Sequence, residues 1–599
     1  MRPSTKQLLI GGAALGLALA IPALAQDRPE SILPPGFEDP EPAQPEPVTN
    51  DSTPTTNTAS PARPGESSAV ELVDALELAE ELAQPSQAPQ VEYPARARRD
   101  PRFSGTLDPV ALGLGDRPWG AASGKALQIL MRRMDTPFAS RWAHIGLRNA
   151  LLAKAASPSD VHGSDWAAER AWLLLRMGEA DASRLLISTV DSDRFTPKMQ
   201  QVALQSALAS GDPSAICPIE RGLSKVEPNV AVLVTAICAS LSGEAERAAA
   251  DIEAARRRGR VSPIDLALAD KVVGAGAETS RAVTIEWEPV ERLNAWRYGL
   301  ATATGMIPPE RLMSAAPPRM QAWLARSPIF PATQRLAAAR SAASLGVLSS
   351  QALIDIYAAA YDSSDPDELG GTDPWQLRLA YIGKNLDDRL GAMRAIWGKA
   401  NEPRDRMAAQ VLLSRAARRV APNANHENDA VNLVASLLAG GFDREAGRWA
   451  TVLGDMDDEH ADAIWAMLAL GAPDTAGLEI DAGRIGQFAD RDASEEKQRT
   501  ALLIAGLAGL GRIDAATAGR LNREYRLGLG AETGWTRLID GAMRRRQSGT
   551  ALVLTASALQ GRDFDGVGAV YQFHAINALR RTGQEYLARM IAAEALART

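Results

Sequence analysis

A glycine, an alanine and a proline recur in register three times between Ser164 and Pro263. This recurrence limits the folds open to the chain more than any other feature. The glycines Gly178, Gly211 and Gly243 stand 33 and 32 residues apart. Ala182, Ala215 and Ala248 follow four or five positions later, and Pro197, Pro228 and Pro263 follow 19, 17 and 20 residues after their glycines. The run before each glycine is apolar at helical spacing. Glycine takes the left-handed conformation that ends a helix and turns the chain. A short alanine lets the returning helix come close, and proline cannot continue a helix interior, so it marks the junction between one hairpin and the next. A single hairpin cannot bury its apolar stripe alone, and neighbours must stack on it. The expectation is an all-α stack of helical hairpins.

The turn segments "LLLRMGEADASRLL", "LASGDPSAICPI" and "SLSGEAERAAADI" resemble the inter-helix turn of tetratricopeptide repeats. The turn aromatic common in that family is absent from these units, and its first-helix pattern of Trp, Leu, Gly and Tyr is not intact. The resemblance covers about 100 residues and implies a TPR-like α-solenoid of degenerate repeats. It carries over no peptide-binding residues. The turn returns at Gly441, Gly471, Gly511 and Gly561, with steps of 30, 40 and 50 residues that predict extra helices in the longer steps. Phe442 and Phe564 restore the turn aromatic there. Gln584 to Ala597 reads as a last amphipathic helix that caps the stack.

The rest of the chain divides around these repeats. Residues 1–25 read as a signal peptide: Arg2 and Lys6, a short apolar stretch, then the small-residue site Ala23-Leu24-Ala25. Residues 26–119 read as a Pro- and acid-rich disordered tether, with ten prolines between Asp27 and Glu66. Within it, residues 69–84 predict an amphipathic docking helix with Leu72, Leu76 and Leu82 on its apolar face, to engage a groove on this body or on a partner. Residues 120–273 hold the first TPR-like repeats, residues 274–333 an irregular Pro-rich connector, and residues 334–599 the second set of repeats with the capping helix. The formal charge of −8 is unevenly shared: residues 27–95 carry 14 acids and two arginines, a net −12, which with +2 from residues 1–26 leaves +2 for the remainder. A near-neutral body lacks the basic stripe that nucleic acid requires, so nucleic acid is not expected as a partner.

No motif for chemistry emerges. The five histidines, His144, His162, His426, His460 and His574, are not at metal-ligand spacing. Asp455 to Asp462 resembles a calcium loop, but His460 stands where the obligatory glycine belongs, so an acidic helix start is expected. Asp362 to Asp373 reads as a loop. The runs Arg256 to Arg258 and Arg544 to Arg546 fit helix C-termini. Trp166, Trp172, Trp449 and Trp465 are expected in the core, whereas Trp287, Trp296 and Trp323 offer a possible sugar platform. No catalytic residue, cofactor or metal is assigned. The expected role is a non-enzymatic scaffold or adaptor in the bacterial cell envelope, working in the periplasm (or secreted), bound to another envelope protein, with no stable membrane span after cleavage. The alternatives are an accessory factor or enzyme acting on peptidoglycan or exported polysaccharide, and a structural spacer. Oligomeric state is left open.

The two cysteines, Cys217 and Cys238, are expected to form a disulfide. An exported chain meets oxidising conditions. Cys217 lies 11 residues before Pro228 and Cys238 10 after it, so antiparallel helices meeting at Pro228 place both at one height.

Overall fold

The computed structural model describes Pro94, residues 97–277 and residues 283–599. Residues 1–25, read as a signal peptide, most of residues 26–119, read as a tether, and the 69–84 segment with Leu72, Leu76 and Leu82 lie outside the described residues. Among the described residues the protein is all-α, 67% helical with 27 α-helices and no strand. Its arrangement is repeat-like and compatible with a helical solenoid. None of its described helices is long and apolar enough to cross a membrane.

The first region runs through α1 (Gly124–Arg133), α2 (Arg141–Leu152), α3 (Gly163–Arg176), α4 (Ala180–Ile187), α5 (Pro197–Ala209), α6 (Glu220–Val226), α7 (Pro228–Leu241), α8 (Ala245–Arg258) and α9 (Pro263–Gly276). Gly178, Gly211 and Gly243 take φ of +91°, +64° and +85°, so each turn uses the conformation that only glycine adopts without strain. Each repeat proline is the first residue of a helix, α5, α7 or α9. There its missing N–H costs nothing, because the first helical N–H groups have no partner in any case. The prolines therefore open the next hairpin rather than close the last. Trp166 and Trp172 are core residues, as are Trp449 and Trp465 further on.

The middle hairpin departs from the regular pattern. Pro213 and Pro218 remove two backbone donors, and the returning helix becomes a 3-10 turn, Pro213–Ile219, followed by the short α6. Cys217 sits in that turn, not in a regular helix, and Cys238 is buried in α7. The two are joined, with Cα atoms 5.5 Å apart.

The Pro-rich middle is a packed connector. It holds α10 (Ala295–Ala303), α11 (Glu310–Ser314) and α12 (Pro318–Arg326). α10 lies on α5 so closely that a Cβ at Gly299 would sit 2.4 Å from the Leu208 carbonyl oxygen. Ala322 of α12 meets the Gly178 turn. Trp296 and Trp323 are buried, and Trp287 packs against the core, so the three do not present a sugar platform.

The second region comprises α13 (Ala332–Leu345), α14 (Ser350–Ser363), α15 (Asp373–Ile382), α16 (Leu386–Trp397), α17 (Pro403–Ala417), α18 (Glu427–Ala439), α19 (Asp443–Gly447), α20 (Asp458–Gly471), α21 (Ala482–Arg491), α22 (Gln498–Leu510), α23 (Ala515–Glu524), α24 (Gly534–Arg544), α25 (Ser548–Ala558), α26 (Ala569–Arg581) and α27 (Glu585–Arg598). The 50-residue step contains one additional helix, whereas the 40-residue step still spans only α21 and α22 and is lengthened by the loop after Gly471. Gly441, Gly511 and Gly561 adopt positive φ. Gly471 does not act as a turn; it ends α20 in close contact with Leu438 and Ala593.

The last helix is not a cap. Residues Leu587 to Leu596 of α27 are all buried, and α27 packs against α2, α18, α20, α22 and α26. The end of the chain thereby returns to its beginning. Glu594 accepts from Ser140 Oγ (2.5 Å), Arg141 N (2.8 Å) and Trp142 N (3.2 Å), so its carboxylate covers the N-terminus of α2 from more than 450 residues away. Arg598 closes the cluster, donating to Glu594 Oε1 at 3.1 Å and to the Ala139 carbonyl. A carboxylate at a helix N-terminus answers both the free N–H groups and the positive end of the dipole. Ser548 Oγ donates to Leu114 O (2.6 Å) and Gln584 to Leu112 O (3.1 Å), extending the seam.

Candidate functional site

Several places combine polar side chains with accessible or enclosed space. One is internal. His144 Nε2 and Glu179 Oε1 lie 3.0 Å apart on α2 and at the start of α4, and Arg148 donates to the same oxygen at 3.1 Å and to Gly346 O at 3.2 Å. Burial pushes the His144 imidazole below its ordinary value, favouring the neutral ring. Burial alone would raise the Glu179 carboxyl, but the His144 hydrogen bond and the Arg148 charge hold it below the usual range. The adjoining cavity, about 20 Å³, has room for a water-sized guest and no more. This cluster ties the first region to the turn after α13. Arg170 has a comparable structural job: burial lowers it to about 9, and it donates to Ala153 O and Ser104 O at 3.0 and 2.9 Å.

A second group is Glu427, Asp457 and His460, whose ligand-type atoms all lie within 4.8 Å of one another. Asp457 is the N-cap of α20, accepting from His460 N at 2.9 Å, and Glu427 accepts from Asp457 N at 3.0 Å. Its hydrogen bonds are those of the acidic helix start expected from the sequence.

The third is an open groove of about 500 Å³ where α14, α15 and α17 converge, lined by Gln351, Ile354, Tyr381, Arg415, Arg418 and Arg419. The three arginines come from the last turn of α17 and the residues just after it. Their i, i+3, i+4 spacing places them on one side of the helix. The groove is held open by aromatic supports. Arg418 lies 5.1 Å and Arg415 5.9 Å from the Phe442 ring centre, and Arg419 lies 5.8 Å from that of Tyr381. Phe442 is the turn aromatic that reappears in the second set of repeats, and here it is a platform for guanidinium groups. Arg419 also donates to Tyr381 O at 3.2 Å. Burial raises the Tyr381 hydroxyl above its ordinary value, with Arg415 and Arg419 opposing, so it stays a neutral phenol. Glu445 pairs with Arg418 at 2.6 Å, and Gln351 donates to Asp355 at 2.6 Å. The lining itself carries three cations and no carboxylate, and of the two carboxylates beside it only Glu445 pairs with one of them.

The arginine run ending α17 is a signal that sequence reading passed over in favour of the runs at Arg256 and Arg544. Those two behave as expected of helix C-termini: α8 ends at Arg258 before Gly259, and α24 ends at Arg544. The groove cannot be read from the run alone, because Gln351, Ile354 and Tyr381 arrive from separate helices. Cys217 and Cys238 lie in the first region, on none of the three groove helices. Compared with known protein families, known proteins and solved structures, the chain has no match.

Proposed function

We propose that this chain is a protein-interaction scaffold of TPR-like design, exported to the bacterial envelope, whose arginine groove receives an acidic segment of a partner protein. The observation that carries the reading is the groove over α14, α15 and α17, where three guanidiniums face one open volume of about 500 Å³ and two aromatic rings hold them in place. Guanidinium forks match carboxylates geometrically, and stacking on a ring reduces the entropy lost when a carboxylate arrives. The signal-like residues 1–25 support an exported setting.

The test is a fluorescence-anisotropy titration of the full mature chain with a glutamate-rich peptide and with its glutamine counterpart. The acidic peptide should bind, and more weakly as salt rises. Changing Arg415 and Arg419 to Ala should remove most of that binding without altering the melting temperature. Equal binding of the two peptides would end this reading.

A further inference from the structure

On the far side of the α15–α16 hairpin, a second cleft of about 360 Å³ opens between the end of α16 and the first halves of α17 and α18. Its chemistry differs from that of the arginine groove. Trp397 and Gln410 are buried, at 9% and 6% exposure, and Asn428 and Asn432 stand exposed on one face of α18, a single turn apart. The Trp397 indole N–H has no partner. Neither do the side-chain amides of Gln410, Asn428 and Asn432 make a hydrogen bond among the described residues. Two buried polar side chains, Trp397 and Gln410, therefore lack a protein partner in a cleft whose mouth carries two exposed amides, Asn428 and Asn432.

Only one of the two arginines in the cleft has a carboxylate partner. Arg394 grips Asp429 through two parallel bonds of 2.8 Å, and Arg406 donates to the Asn401 carbonyl at 2.6 Å. An apolar ligand would strand the amides in a dry pocket, which is costly. Asp429 is already held by Arg394, so an anionic ligand would meet Arg406 alone and leave the amides unanswered. The lining instead offers neutral amide donors and acceptors beside an indole, and a hydroxyl group can answer both kinds at once. The volume falls within the range of about 300–1,000 Å³ usual for small-molecule sites.

We propose that this cleft is a binding site for a hydroxyl-rich ligand of saccharide size, held by Gln410, Asn428 and Asn432 and bounded by Trp397. The site is independent of the arginine groove and of any role assigned to it. Because Gln410 lies at its floor and the asparagines at its mouth, the ligand enters along the α17–α18 seam.

The experiment uses the full mature chain with three probes: maltose, chitobiose and a blocked triglycine as a peptide control. Binding is followed by calorimetry and by tryptophan emission. One of the disaccharides should bind saturably at one site per chain. Asn432→Ala and Gln410→Leu should each weaken binding by about tenfold, the loss of one or two hydrogen bonds. Trp397→Phe should remove the emission change. Melting curves of the exposed Asn432→Ala variant should match those of the parent, which keeps the test valid even if Gln410→Leu destabilises the fold. Substituting Arg415 and Arg419 should leave saccharide binding unchanged. The proposal is overturned if neither disaccharide binds at tens of millimolar, if the triglycine binds more tightly, or if binding survives both Asn432→Ala and Asn428→Ala.

Discussion

The first region, α3 to α9, and the second, α13 to α27, use the same hairpin, yet the first keeps its period and the second loses it. In the first, α3, α5, α7 and α9 follow one another at steps of 31 to 35 residues, read from their starting residues Gly163, Pro197, Pro228 and Pro263. Adjacent hairpins there make most of their contacts with each other. In the second, α18, α20, α22 and α26 also pack on α27, and α27 and α25 on α2. A unit that meets only its neighbours can be repeated without change. A unit that must also fit around a buried helix cannot, and its loops lengthen and its turn glycines are put to other uses, as at Gly471. Regular spacing thus marks nearest-neighbour stacking, and drift marks convergence on a common element.

Breaking the convergence should have the largest effect. Glu594→Ala leaves Arg598 and the N-terminal N–H groups of α2 buried without their carboxylate. The expected loss is about 3–5 kcal/mol, the usual result of removing one partner from a buried ion pair. Urea unfolding followed by tryptophan fluorescence measures it, and hydrogen exchange should show α2, α25 and α27 opening together. A loss below about 1 kcal/mol would mean that the seam is held by apolar packing alone.

The regular region should respond locally. Replacing Cys217 and Cys238 by Ala opens a loop with a sequence separation of 21 residues, worth about 3 kcal/mol on the chain-entropy model. Exchange should rise in α6 and α7 and stay unchanged in α27. Non-reduced peptide mass spectrometry of the chain isolated from its native host checks the bond itself, and two alkylatable thiols would refute it.

A smaller effect is expected where the packed middle segment meets the regular stack. Gly299→Ala forces a methyl group against the Leu208 backbone and should cost about 1–3 kcal/mol. Gly276→Ala, which meets the Ser240 side chain instead of backbone, should cost less. Equal thermal shifts for the two variants would show that α10 can slide on α5.

The smallest effect concerns pH. His144 titrates below its ordinary 6.5 and Glu179 below its ordinary 4.5 in the folded chain. The unfolded chain therefore binds more protons, so stability rises with pH. It should be fully present above about 6.5 and decline on acidification, first through His144 and then, below about 4.5, through Glu179. Melting temperatures between pH 7 and pH 4 should fall, and His144→Phe should flatten the upper part of that curve.

What the sequence determined is what lies within a turn or two of helix. Glycines at Gly178, Gly211 and Gly243, prolines at the hairpin junctions and apolar spacing of the helices are local instructions, and they specified an all-α stack with correct turn positions. The spacing of the cysteines about Pro228 belongs there only in part: Cys217 sits in a 3-10 turn and not in the regular helix that a fixed rise per residue assumes, yet the two still meet. The tertiary structure decided which helices converge. Gln584 to Ala597 reads as amphipathic because Arg589 and Glu594 count as polar, yet both are buried, Arg589 against Asp443 and Glu594 against Arg598 and α2. The groove at Arg415 and the cleft at Gln410 were equally out of reach. Helical periodicity states which face of a helix is apolar, but not which of 27 helices will cover it, and a binding surface exists only where that second choice leaves polar groups facing open space.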